Sequence, residues 1–379
     1  MLNPEEYRHL FPHTKLCTFL DHAAVPPQPI PVRKAIYECI ADDEPRQEVR
    51  WEKWMERKRK GLNLISEMIN ASPEEILFTG NTTRGFVILA NGIDWHKGDN
   101  IVTTEGEFPA NHVPWMLLKR LGVETRFAPL RDGRLSIEDI EGLMDDNTRL
   151  VTVSFVYWLM GFRSNLKILG QLCKKRGVYL AVDGAQGIGA LPLDVRECQI
   201  DFLTTCGFKW LLGPVGSGFF YCRREAIPRL LPALTGYSGV VSEGGSYNRP
   251  PTLVEPLKDA RRFEDGSPNV PCIYGLTASV ELLTSVGIDR IERHLMGLTS
   301  QLMDGLEDRG YRLITPRDRE EERSGIVCFK HDRLSLDDIF ERLRASKVMV
   351  SLKKDFCIRV SPHFYNNEGD IERLLEALP

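Results

Sequence analysis

Between residues 75 and 223, seven short apolar runs alternate with segments of helical apolar spacing or turn residues. They are EILFTG (75–80), NIVTT (100–104), VETRFAPL (123–130), RLVTVSFV (149–156), VYLAVDG (178–184), DFLTTCG (201–207) and GSGFFYCR (216–223). Most are rich in β-branched and aromatic residues, and several are too continuously apolar to leave one face in water. Strands of this kind, joined through helices, pack as a mainly parallel sheet with both faces covered. The pattern therefore predicts an α/β fold on a mainly parallel seven-stranded sheet, with reactive groups at the C-terminal ends of its strands.

Helices are expected over 49–69, through Phe86-Val87-Ile88-Leu89, and over 114–121, 139–144 and 166–175. The RKRK run at 57–60 reads as the solvated face of the first. From about 225 to 265 the chain is rich in Gly and Pro (TGYSGVVSEGGSYNRPP), either a linker or a site-covering segment. Helices at 272–286, 289–309 and 336–346, with strand candidates GIVCFK (325–330) and CIRVSPHF (357–364), then suggest a small α+β C-terminal domain. The expected division is a large domain over 20–255 and a small one made of 1–19 and 256–379. RDREEERSG (317–325) reads as an exposed loop, and no internal repeat is evident.

Composition narrows the partners. Forty-nine Lys+Arg against 53 Asp+Glu give a formal charge of -4 and no basic field for nucleic acid or an anionic membrane. The longest apolar stretch, Val151 to Phe162, is short of a membrane span, and the first residues lack a signal-peptide pattern. Nine cysteines without CxxC or CxxH spacing read as buried thiols in a reducing cytoplasm rather than as a disulfide framework or metal site. A small-molecule partner is expected.

Lys209 stands out within CGFKWLLGP (206–214), a charge between two aromatic residues in an apolar run. Such a lysine either snorkels to water or is kept partly desolvated as a nucleophile able to form a Schiff base. Three other features bear on the choice. Asp183 ends an apolar strand, with Gln186 in the next turn, and is either a helix cap or a carboxylate awaiting a partner. FTGNTTRG (78–85) puts Thr82 and Thr83 at a helix start, where backbone N–H groups and hydroxyls can hold a phosphate or simply cap the helix. Phe108, in GEFPANHVPW (106–115), is either core or the cover of a flat ring. A phosphate cup, a carboxylate, a flat covering side chain and an amine are what pyridoxal 5'-phosphate (PLP) requires.

The segment AVDGAQGIGALPLDVRECQIDFLTTCGFKWLLGPVGSGFFY (181–221) resembles the core of class V aminotransferases, fold-type I PLP enzymes that include cysteine desulfurases, kynureninase and isopenicillin N epimerase. The similarity runs from FLDHAAVPPQP (19–29), through FTGNTTRG, GEFPANHVPW and RFEDGSPN (262–269), to IRVSPHFYNNEGDIERLLEAL (358–378). It implies that Lys209 is the Schiff-base lysine, that Asp183 pairs with the pyridine nitrogen, and that Gln186 reaches the ring hydroxyl. It implies further that Thr82 and Thr83 hold the phosphate, that Cys206 and Phe108 border the cofactor, and that Arg359 grips the substrate α-carboxylate with His22 and Ala23 near the substrate. Ser267 would reach the phosphate of a neighbouring subunit, which implies a homodimer with shared sites.

The sequence also departs from its relatives. Desulfurases carry histidine where this chain has Phe108, and their loop bearing a persulfide cysteine has no counterpart between VMVSLKKDF and CIRVSP. Cys206 and Phe208 replace a common Ser and His, removing two polar phosphate contacts. Tyr157 and Trp158 would form a bulky pocket wall, and Phe208 and Trp210 a low-dielectric flank for Lys209. The resulting expectation is an enzyme acting on an amino acid through an external aldimine, by transamination or epimerisation. A carbon–sulfur or carbon–carbon lyase stands as the alternative, and a non-catalytic PLP-fold binding protein is a further rival.

Overall fold

The computed structural model describes residues 2–244 and 249–379. Its central sheet has the seven strands expected. Across the sheet they run Ile76–Thr79, Gly218–Cys222, Phe202–Cys206, Tyr179–Asp183, Thr148–Ser154, Asn100–Thr104 and Glu124–Ala128. All neighbours pair in parallel except Gly218–Cys222, which is antiparallel to both Ile76–Thr79 and Phe202–Cys206. The middle strands are buried almost end to end, so helices must cover both faces. One apolar cluster lies on each face. The first gathers Val151, Val153, Val182, Leu203 and Tyr221 with Ile65 and Ile69 of the helix Gln47–Ile69. The second gathers Leu150, Ala181, Phe202 and Phe220 with Phe86 and Leu89 of the helix Thr82–Gly92.

A second sheet has four antiparallel strands in the order Arg312–Leu313, Val327–Lys330, Cys357–Val360 and Ser351–Lys353. Its core joins Val327, Phe329, Ile358 and Val360 to Leu298 and Leu302 of the helix Ile288–Glu307 and to Ile371 and Leu374 of the helix Glu368–Ala377. The N-terminal strand Thr18–Phe19 pairs with Val348–Met349, and Asp21 bridges to Ser361. The residues after Asp21 are thereby led from the small sheet into the cleft beside the large one.

The domain boundary expected at residue 256 separates residues that pack together. The helix Val270–Val286 lies against Ile30–Ile40 and Gln47–Ile69, and its Leu276, Val280 and Leu283 belong to the large-sheet cluster. It is apolar on nearly every side, so only enclosure between layers satisfies it. The helix Ile30–Ile40, which begins with a proline inside its first turn, was not expected from spacing. In the 225–265 region the strands Val240–Glu243 and Leu253–Pro256 form an exposed hairpin, while residues 245–248 of that expected loop lie outside the described residues.

Candidate active site

The C-terminal ends of the parallel strands converge on a cavity of about 360 Å³. Its lining includes Ser154 and Asp183 at two strand ends, Cys206 at a third, then Lys209, Phe108 and, from the small sheet, Lys353 and Arg359. Thr82, Thr83, Gln186, Phe208 and Ala23 also border it. Eleven of the fifteen residues that the sequence placed at the site or on its flanks line this one cavity, and the four exceptions, His22, Tyr157, Trp210 and Ser267, are informative.

Asp183 is buried, and one of its oxygens accepts the Ala185 N–H at 2.9 Å. No other hydrogen bond reaches the carboxyl among the described residues. Burial pushes its pKa up to about 7, and the neighbouring Glu107 acts in the same direction against the pull of Lys209. A cation or N–H donor in the cavity would relieve this directly.

The ammonium of Lys209 makes no hydrogen bond or ion pair among the described residues and stands 5.2 Å from the Phe108 ring centroid. Phe108 is 42% exposed, so its face is open toward the cavity rather than buried in core. The aromatic flank differs from expectation. Phe208 lines the cavity, but Trp210 is fully buried and points away, because its indole Nε1–H donates to Gln186 Oε1 at 2.8 Å. Likewise Trp158 lines the cavity, whereas the Tyr157 hydroxyl turns inward to Thr104 at 2.9 Å.

That Trp210–Gln186 bond belongs to a chain of contacts that fixes the backbone following Lys209. Gln186 Nε2 donates to the Ala23 carbonyl at 3.1 Å, which leaves its second N–H for a ligand. The Ala23 N–H donates to Ser361 Oγ, and His363 Nε2 donates to the Trp210 carbonyl. Leu212 then turns back with φ +58°, a conformation β- and γ-branched side chains rarely adopt, and its N–H reaches the Lys209 carbonyl. Trp210→Phe is expected to leave Gln186 Oε1 buried without a donor and to cost about 1–3 kcal/mol, read as a lower denaturant midpoint with an unchanged slope.

His22 does not line the cavity. Its Nδ1–H donates to the Ser361 carbonyl, so Nε2 is the acceptor for the Tyr365 hydroxyl. Burial, with His363 alongside, keeps its pKa well below 6.5 and the ring neutral. It is a post joining the N-terminal segment to the small sheet, and Ala23 is the residue that the segment delivers to the site. Ser267 also lies away from this cavity. It borders a separate depression with Asn81, Arg84 and Gly216, and its hydroxyl is 2.8 Å from that of Tyr237.

Two ionisable groups at or beside the cavity escaped the sequence reading. Glu107 is buried below the cavity, accepting Ser154 N–H and Oγ–H and Asn111 Nδ2, and burial raises its pKa. Lys353 enters from the small sheet, half-buried, with its Nζ 5.7 Å from the Trp158 ring centroid. Glu107 had one visible signal, an acid between a strand end and the i+4 partner Asn111. The position of Lys353 depends on a strand register that spacing alone does not reveal.

The residues present fit PLP on chemical grounds. A buried carboxyl with an unengaged oxygen suits a ring N–H, and the first N–H groups of the helix Thr82–Gly92 have no partners within that helix and suit a phosphate. Lys209 supplies the amine. Arg359 is 2% exposed, its Nη1 donates to the Trp158 carbonyl at 2.8 Å, and its Nε–H is buried without a partner among the described residues. Its Nη2 contacts to Asp21 and Ser351 are long, at 3.5 and 3.4 Å, so donors remain for a carboxylate.

Comparison with known proteins agrees with this chemistry. The family model for aminotransferase class V matches residues 19–374. A probable cysteine desulfurase of Methanothermobacter thermautotrophicus is 30% identical over 100% of this chain and 98% of its own. An uncharacterized aminotransferase, YcbU, of Bacillus subtilis is 27% identical over 99% of this chain and 97% of its own. The apo structure of a cysteine desulfurase from Thermococcus onnurineus superposes with a TM-score of 0.89 at 27% identity, covering 99% of this chain and 97% of that one.

Proposed function

The chain belongs to the class V aminotransferase family of PLP-dependent enzymes, and from that premise we propose that it is a carbon–sulfur lyase acting on a sulfur-containing α-amino acid and releasing the sulfur to solution. The observation that carries the reading is a single cavity holding the unpaired Lys209 amine, the Asp183 carboxyl and the spare donors of Arg359. The names of the relatives favour sulfur chemistry over the transamination or epimerisation expected from the sequence.

PLP, when bound, supplies an electron sink that acidifies the bond to the substrate Cα hydrogen. The protein does the rest. Arg359 orients the α-carboxylate through its fork of N–H donors, Lys209 Nζ takes the Cα proton, and the sulfur at Cβ leaves with its bonding electrons. Phe108 and Trp158, packed edge to face at 5.6 Å, keep water from the reacting end.

Storage of sulfur on the enzyme is disfavoured by the thiols' positions. Cys206 is the one cysteine lining the cavity among the described residues, it sits at the strand end beside Asp183, and burial raises its pKa away from the thiolate. Cys357 is buried in the small sheet beside Cys328. The connection from Lys353 to Cys357 is a tight hairpin, with Asp355 at φ +61°, and has no room for a long loop. A homodimer is part of the same proposal: Ser267 lies outside its own chain's cavity, as the resemblance would require of a residue serving a neighbouring subunit's phosphate.

The test is product analysis with L-cysteine and L-cystine. Release of pyruvate and ammonium, with sulfide from L-cysteine or cysteine persulfide from L-cystine, undiminished after surface thiols are alkylated, is expected. Transfer of the amino group to an added 2-oxo acid, with no sulfur released, would replace lyase by transaminase.

A further inference from the structure

Lys353 is a third basic side chain in the cavity, beside Lys209 and Arg359, and neither the fold nor the reaction explains it. The strand pairing shows how it arrives there. Ser351 pairs with Arg359 and Lys353 with Cys357 across antiparallel strands, so Ser351, Lys353 and Arg359 project from one face of the small sheet. That face closes the cavity, and both cations line it.

The two cations differ in what already answers them. Asp21 stands 3.5 Å from Arg359 Nη2 and is itself held by Ser351 Oγ–H at 2.8 Å. Lys353 has no carboxylate partner among the described residues. Its Nζ stands 5.7 Å from the Trp158 ring centroid, a weak contact for a half-buried ammonium. Burial and the Arg359 charge both lower its pKa, while Asp21 and the neighbouring Cys328 and Cys357 raise it.

Its place relative to Lys209 sets the direction. Lys209 Nζ faces Phe108, Phe108 packs on Trp158, and Trp158 meets Lys353. Two amines thus stand at opposite ends of a two-ring wall. A substrate whose Cα is at Lys209 and whose α-carboxylate is at Arg359 presents its side chain along that wall.

We propose that Lys353 is a specificity-determining residue that binds a second anionic group at the end of the substrate side chain. The preferred substrate class is then an α-amino acid with an acidic side chain, carboxylate or sulfur oxyacid. This rests on the reading of Lys209 and Arg359 given above and deepens it. In the lyase reaction the Cβ–S bond breaks with its electrons going to sulfur, so that the anionic group departs either on a carboxylate-bearing thiolate or as sulfite from a sulfonate, and Lys353 contributes charge and no proton transfer.

The test is a titration of the holoenzyme's visible absorption with L-aspartate and L-asparagine, which differ by one charge at nearly equal size. The parent is expected to bind aspartate roughly 10-fold more tightly, the worth of one hydrogen bond to a charged group. Lys353→Met keeps an apolar stem against Trp158 and is expected to erase that ratio while leaving the asparagine affinity within about twofold. Lys353→Arg is expected to restore it, which a merely structural lysine would not require. Equal affinities in the parent, or equal losses for both ligands in Lys353→Met, would overturn this inference and leave the amino-acid enzyme standing. A spectrum indifferent to every amino acid tried would overturn both.

Discussion

Lys209→Ala is expected to lower kcat by at least ~10³-fold, the scale of removing a positioned proton-transfer group, while the fold and thermal midpoint change little. The reasoning rests on isolation. The Lys209 amine makes no ion pair or hydrogen bond among the described residues, so truncating it leaves no orphaned partner. A surface or snorkelling lysine would show the same silence in stability, so the chemical readout decides. Borohydride treatment of the PLP-loaded parent is expected to fix the cofactor on the peptide containing Lys209. The alanine variant is expected to bind PLP without covalent retention. Lys209→Arg sharpens the test, because it keeps the positive charge facing Phe108 but cannot form the covalent link. Adduct formation at Lys353, the other lysine lining the cavity, would move the reacting amine to the opposite end of the aromatic wall and reverse the orientation of substrate argued above. Full activity in Lys209→Ala would remove the basis for any PLP chemistry at this site.

What could be read from the sequence follows the physics of burial. A strand enclosed on both faces, such as Thr148–Ser154, announces itself by a continuous apolar run, and all seven large-sheet strands were legible in this way. Lys209 and Asp183 were legible because a charge at the end of such a run is expensive unless used. Trp210 shows the limit of that argument. Adjacency in sequence suggested two aromatic walls around Lys209, but successive side chains diverge, and the indole went to Gln186 while Phe108, about a hundred positions earlier, came to the amine. His22 fails for a related reason. A histidine near the substrate and one bonded to Ser361 and Tyr365 have the same sequence signature, since the partners lie more than 330 residues away. The helix Val270–Val286 was recognised as a helix but assigned to the wrong body, because its apolar surface states that it is buried without saying against what. Lys353 belongs to the same class of omission. Its meaning lies in its strand register with Arg359.

Asp183→Asn is expected to separate stability from activity. In the cofactor-free protein the native Asp183 keeps its proton up to about pH 7, whereas the unfolded chain releases it near 3.8. Between these values the native state binds more protons than the unfolded state, so this group's contribution declines as pH rises and its whole cost is carried above pH 7. That cost is roughly 4 kcal/mol at ~1.36 kcal/mol per pKa unit, an upper bound because buried sites relax. Asparagine keeps the bond from the Ala185 N–H and removes the ionisation. The cofactor-free variant should therefore melt above the cofactor-free parent at pH 8, with the difference shrinking as pH falls and vanishing below about pH 3, where the aspartate is neutral in both the folded and the unfolded chain. Activity should move the opposite way. A neutral amide accepts a hydrogen bond but cannot balance a positive ring nitrogen, and losing that electrostatic support should lower kcat by about 10²–10³-fold. Calorimetry of the cofactor-free proteins across this pH range, paired with turnover of the loaded ones, checks both signs. A variant that melts below the parent at pH 8 would mean that Asp183 is already satisfied as an anion, and its carboxylate would then be a structural cap rather than the cofactor's counter-charge.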